Sequence, residues 1–321
     1  MSLEDLVNHA VDKQRFQTIQ NYITFCRNYL EFITTGLQAR IVSQNENHYQ
    51  FYQYQDDGYY NISRPINTHL MYEAQTFDIA SNQFLQALEQ LRERQLPDDS
   101  LRQVFISTIY TVQQAIGATL DALPSGKSNQ ARKVNGDIFE RLIRLLIVCL
   151  NVDCVSGTVQ VPIRDDDSGA ILFHTSYQHD LLISKDDELK IIGSVKTSSK
   201  DRIDKLFVDK FLYNKLTSTA LPHIAILLND VQRKKAKQQN RYGINTTFLP
   251  GHFKAYTIKL NPLDGVYYCD IRPNMIADGL LSQHIQTIDN FFYRDIWQLL
   301  SINGQSLEEV EIEEGENKES E

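Results

Sequence analysis

Residues 179–210, HDLLISKDDELKIIGSVKTSSKDRIDKLFVDK, decide the fold. Asp180 opens an apolar run, residues 184–188 are turn material, and a second apolar, β-branched run fills 189–196. Two such runs joined by a short polar turn predict a β-hairpin. Its open end would hold Asp180 and Lys196 side by side. A polar helix is expected beyond it, at about 199–217, with Ser198 or Ser199 as a fair N-cap.

Upstream, apolar residues recur at near-helical intervals over 3–40, and further helices are expected at 72–95, 100–123 and 134–150. Residues 48–66 are tyrosine-rich and form an expected short hairpin turning at Asp57-Gly58. Tyr49, Phe51, Tyr52, Tyr54, Tyr59 and Tyr60 read as an aromatic core or dimer contact before they read as a base-stacking surface. Downstream, short β-branched segments predict strands at 155–163, 170–175, 180–184, 189–196, 223–229, 253–260 and 265–271, with a closing helix at 280–300. The expected fold is α/β (α+β): a helical region over 1–125 serving dimerisation or DNA clamping, a mixed-sheet domain over 126–303, and an acidic, disordered tail over 304–321.

The chain has 321 residues, with 41 acids against 32 Lys plus Arg. Residues 307–321 hold eight of those acids and one lysine, so the rest of the chain is close to neutral and a local basic groove remains compatible with the overall charge. The longest apolar stretch, 142–152, is interrupted by Arg144 and too short to cross a bilayer. No apolar export segment opens the sequence, and Cys26, Cys149, Cys154 and Cys269 form no zinc spacing or disulfide framework. A cytoplasmic protein with reduced thiols is expected. Ser125-Gly126-Lys127-Ser128 imitates the end of a phosphate-binding loop, but Asp121 occupies the position of the required first glycine. No nucleotide cofactor is expected, and no membrane.

A carboxylate beside a lysine at strand ends is a phosphoryl-transfer arrangement. Asp180 and the backbone carbonyl of Val195 are hard oxygen ligands suited to Mg²⁺, and Lys196 would orient or deprotonate a water and offset charge on a scissile phosphate. The alternative is an ion pair on a solvated hairpin. Lys200, Asp201 and Arg202 fall in the first turn of the expected helix. Lys and Arg suit guanine O6 and N7 and Asp suits cytosine N4, so the three form a candidate reader of G·C pairs. Gln130, Arg132 and Lys133 are candidate DNA contacts from a loop ahead of the third helix. Arg233, Lys234, Lys235, Lys237 and Arg241 are phosphate contacts or a solvated face.

These residues resemble type II restriction endonucleases of the PD-(D/E)XK superfamily, in the branch with an S-x-K motif that cuts CCGG- or CCNGG-like sites. Asp180 falls on the family's metal-binding aspartate, Ser194-Val195-Lys196 on S-x-K, and Lys200-Asp201-Arg202 on an (R/K)-(D/E)-R recognition triplet. His179 stands where proline is usual. The resemblance implies that Asp209, with Asp204 a weaker choice, supplies a further metal-ligand carboxylate from the helix after Lys196. It also implicates Glu140 of Asn135-Gly136-Asp137-Ile138-Phe139-Glu140 near the metals; an i,i+4 pair with Arg144 is the other reading of Glu140. The implied activity is Mg²⁺-dependent double-strand cleavage of DNA at a palindromic G·C-containing site by a homodimer, leaving 5′-phosphate ends. A structure-specific repair or junction nuclease of the same fold and a non-catalytic α/β interaction protein are the alternatives.

Overall fold

The computed structural model describes residues 1–54, 62–124, 126–165, 167–199, 203–234 and 241–315. Where the sequence suggested helix throughout 3–40, two capping boxes divide it. Ser2 with Asp5 starts α1 (Leu3–Val11), and Thr18 with Asn21 starts α2 (Ile19–Thr35). A three-stranded sheet follows: β1 (Leu37–Val42), β2 (Tyr49–Tyr54) and β3 (Ile66–Asn67). Tyr49, Phe51, Tyr52 and Tyr54 are buried in it, at 0–2% exposure, which excludes a base-stacking role for these four. Tyr59, Tyr60 and the expected turn at 57–58 lie outside the described residues. Helices α3 (Ala74–Arg92), α4 (Ser100–Leu120) and α5 (Ser128–Val148) complete this part. Because α5 starts six residues earlier than its apolar pattern, Arg132 and Lys133 sit on a helix rather than on a loop.

The remaining elements build the main sheet. These are β4 (Asp153–Arg164), β5 (Ile171–Lys185), β6 (Glu188–Lys196), α6 (Ile203–Thr217), β7 (His223–Leu227), the small pair β8 (Val231–Lys234) and β9 (Gly243–Thr246), α7 (Pro250–Lys259) and β10 (Gly265–Tyr268). Then come α8 (Pro273–Ala277), α9 (Leu281–His284), β11 (Ile285–Thr287), α10 (Ile288–Asn290), a π-helical stretch over Phe291–Asp295, α11 (Ile296–Leu300), β12 (Gln305–Ser306) and β13 (Glu311–Glu314). The sheet order is β11-β10-β7-β6-β5-β4-β13, with β12 beside the start of β6. Strands β6, β7, β10 and β11 run parallel, while β4, β5 and β6 form an antiparallel meander.

Alternate residues of the central strands feed two cores, as a period of two requires. Leu181, Ile183, Ile191, Val195, Ile224 and Ile226 pack with α5 and the N-terminal helices. Leu182 and Ile192 pack with Tyr213 of α6, and Ala225 and Leu227 pack with Phe207 and Phe253. The first core also holds Tyr22, Phe25, Phe105 and Ile109, so it runs without a break across the expected boundary at 125.

Three expectations are corrected. Residues 253–260 form part of helix α7, not a strand: Pro250 sits in its first turn and Phe253 is buried against Phe207, with ring centroids 5.4 Å apart. The closing helix is interrupted because Ile285–Thr287 adds in parallel to β10. The acidic tail is not disordered up to residue 315, since Glu311–Glu314 pairs antiparallel with Gly157–Gln160 of β4 and Val310 is buried against the sheet. Residues 316–321 lie outside the described residues.

Removing 307–321 would therefore strip an edge strand and the Val310 contact. The truncated chain should lose about 2 kcal/mol, the worth of burying one valine, seen as a lower urea midpoint. A midpoint equal to that of the full chain would show the tail to be a mere solubiliser.

Candidate active site

Asp186 and Asp187 both adopt positive φ, 53° and 57°, giving the two-residue turn whose twist suits a β-hairpin. The turn sets Lys185 opposite Glu188 and Ser184 opposite Leu189; Lys190 is then passed over, and the pairing continues with Ile183 opposite Ile191 and Leu181 opposite Gly193. On the other side of β5 the pairing shifts: Leu182 faces Val155 but His179 faces Gly157, so Asp180 and Leu181 together stand opposite Ser156 alone. This is a β-bulge, which re-aims a side chain. Asp180 leans towards the end of β6, where its Oδ2 accepts the Val195 N–H at 2.8 Å and the Lys196 ammonium at 2.5 Å.

Glu140, one face of α5 away, completes the group: Lys196 Nζ donates to its Oε1 at 3.0 Å. The carboxylate pairs with Lys196, not Arg144. Burial raises the Glu140 pKa to about 7, and repulsion from Asp180 adds to this while Lys196 partly opposes it. For Lys196 burial works against the charge, but Asp180 and Glu140 outweigh it and hold the ammonium protonated. One lysine thus serves two carboxylates that repel each other.

The group opens onto a cleft of about 920 Å³ lined by Glu140, Val195 and Lys196, by Arg132 and Lys133 of α5, by Asn229, Gln232 and Arg233 after β7, and by Ile62, Arg64, Pro65 and Asp121 from the N-terminal region. The cations gather on its walls. Gln130 is exposed at the start of α5 outside this lining, and Ser194 is half-buried two residues before Lys196, also outside it. Asp209 is not brought to Asp180: its carboxylate pairs with Lys205 at 2.5 Å on α6, beside the sheet face that carries Tyr177. Asp204 lies 3.6 Å from His252. Lys200, Asp201, Arg202, Lys235 and Lys237 lie outside the described residues. His179 and His223 are buried, their rings 6.4 Å apart, and burial depresses both, to about 3 and about 4. They are neutral core histidines among aromatic rings.

Sequence reading did not find Arg64 and Asp121 as part of the cleft. They are 57 residues apart in the chain, and no local pattern announces the pair.

Two carboxylate oxygens and a main-chain carbonyl are the hard donors that Mg²⁺ takes, one or two carboxylates being the usual protein share. The raised pKa of Glu140 marks a place where added positive charge is stabilising. Among the described residues no third Asp, Glu, His or Cys joins them.

This central mixed sheet flanked by helices has the fold of a type II restriction endonuclease. The crystal structure of the type IIP restriction endonuclease Kpn2I is similar over 94% of this chain and 98% of its own, with a TM-score of 0.66 at 16% identity. A complex of the restriction endonuclease PspGI with substrate DNA matches at a TM-score of 0.38 and 14% identity, over 70% of this chain and 92% of that one. No family model and no curated protein matches the sequence.

The raised pKa of Glu140 has a thermodynamic consequence. A carboxyl with a folded pKa near 7 and an unfolded value near 4.5 binds its proton more tightly when folded, so stability falls as pH rises between these values. In EDTA, the urea midpoint of the wild type should drop relative to Glu140→Gln from pH 4.5 to 7 and then run parallel to it. Parallel curves throughout would contradict the assigned environment of Glu140.

Proposed function

We propose that the protein is a type II restriction endonuclease: a homodimer cleaving both strands of a palindromic G·C-containing DNA site with Mg²⁺, leaving 5′-phosphate ends. The observation that carries this reading is the Asp180–Lys196–Glu140 group, whose Glu140 and Lys196 line a cleft shared with Arg64, Arg132, Lys133 and Arg233. The likeness of fold to Kpn2I supports it.

Asp180, Glu140 and the Val195 carbonyl would hold the Mg²⁺, which when bound supplies positive charge against phosphate oxygens and acidifies water. Asp209, engaged with Lys205, is left out of this set. Lys196 stays protonated between its two acids, so its part is to donate hydrogen bonds and stabilise negative charge at the scissile phosphate. The Asp180 bridge to the Val195 N–H fixes where that ammonium stands. Arg132, Lys133 and Arg233 face a polyanion entering the cleft, and Lys200, Asp201 and Arg202 are assigned the reading of base edges. Ser194 occupies the position of the absent acid. A dimer would set one such site against each strand.

Incubation of the purified protein with phage DNA should give discrete fragments with Mg²⁺ and none in EDTA. A smear would favour a nuclease without site choice, and uncut DNA would sink the reading. Asp180→Ala and Lys196→Ala should each slow cleavage by on the order of 10³-fold while leaving the fold intact by circular dichroism.

A further inference from the structure

Arg64 lies on the wall of the cleft that the N-terminal region provides, far in sequence from every residue assigned above. Its backbone N–H and Nε donate to Oδ2 of Asp121 at 2.6 and 2.9 Å, and its Nη2 donates to Oδ1 at 2.9 Å. Asp121 follows the last turn of α4, so the acid that orients the guanidinium is itself fixed by a buried helix. The guanidinium lies against Gly117: a Cβ there would come within 2.2 Å of Nη1 and 2.4 Å of Cζ. One edge of the group is therefore taken by the carboxylate and its flat side rests on backbone. The remaining edge, Nη1 and the outer N–H of Nη2, meets no acceptor among the described residues. The side chain is 20% exposed, and the residue lines the cleft.

A guanidinium neutralised by a bidentate carboxylate is a weak electrostatic partner for phosphate. It keeps two parallel donors in a fixed plane, the geometry that suits the O6 and N7 acceptors of guanine. Arg132 and Lys133, exposed and in no ion pair among the described residues, are the opposite case: net charge suited to the phosphate backbone. On the nuclease reading above, we infer that Arg64 is a specificity residue that reads a guanine edge of the target site, held for that purpose by Asp121 and Gly117.

The test uses the full-length protein, the duplex site mapped from the wild-type digest, and duplexes with one G·C pair changed at a time. Arg64→Lys keeps the charge and loses the fork. It should lower kcat/KM on the mapped site roughly 10–100-fold and no longer discriminate at one G·C position, with the salt dependence of binding unchanged. Asp121→Asn frees the guanidinium and adds net positive charge. It should steepen the slope of log K against log salt by about 0.9 and blunt the same discrimination, which gives a second reading if Arg64→Lys melts early. A phosphate role is indicated, and the inference overturned, if Arg64→Gln weakens binding uniformly over all duplexes and reduces that slope by about 0.9. Unchanged discrimination in folded variants overturns it equally, leaving the pair a structural tie. Failure of the wild type to bind or cut any duplex would instead remove the nuclease reading beneath it, which separates the two outcomes.

Discussion

Two carboxylates compete for one ammonium that lines the cleft, and the geometry around them follows from that contest. Asp180 reaches Lys196 only because a bulge in β5 places two residues opposite one of β4, turning the acid towards β6. Glu140 reaches the same ammonium from a different layer, so α5 must be seated against the sheet to within a hydrogen bond. The apolar faces of α5, β5, β6 and β7, joined in one core with the N-terminal helices, provide that seating. Like charges at partial burial are costly, and the cost persists only where packing over-determines the site.

The N-terminal region earns its place through that core. Tyr22 of α2 donates to the Ile138 carbonyl of α5, and Lys13 pairs with Asp137 at 2.9 Å one turn from Glu140. Arg272, after β10, ties to Glu46 in the turn between β1 and β2 and to Tyr49 of β2, and Asp270 accepts from both Tyr49 and Asn67. Elements far from the cleft in sequence thus fix the position of α5 and of Glu140 upon it.

Much of this was legible locally. The hairpin, its turn and the meeting of Asp180 with Lys196 follow from alternation and turn chemistry within 18 residues. The strand read over 253–260 failed because an isolated run of alternating apolar residues does not distinguish strand from short helix, and the contacts with α6 decide it. The tail failed because acidic composition suggests solvation, while strand pairing needs backbone groups, which every residue has. Asp209 was matched by its distance along the helix, but the direction of its side chain is set by Lys205 and by which face of α6 meets the sheet. Pairings across 57 residues, such as Arg64 with Asp121, have no signature in a single sequence.

The edge strand Glu311–Glu314 lies three strands from β6, roughly 14 Å across the sheet. Its exposed glutamates place a row of negative charge along that border of the sheet. The same glutamates deny that border to any stray strand seeking to extend the sheet.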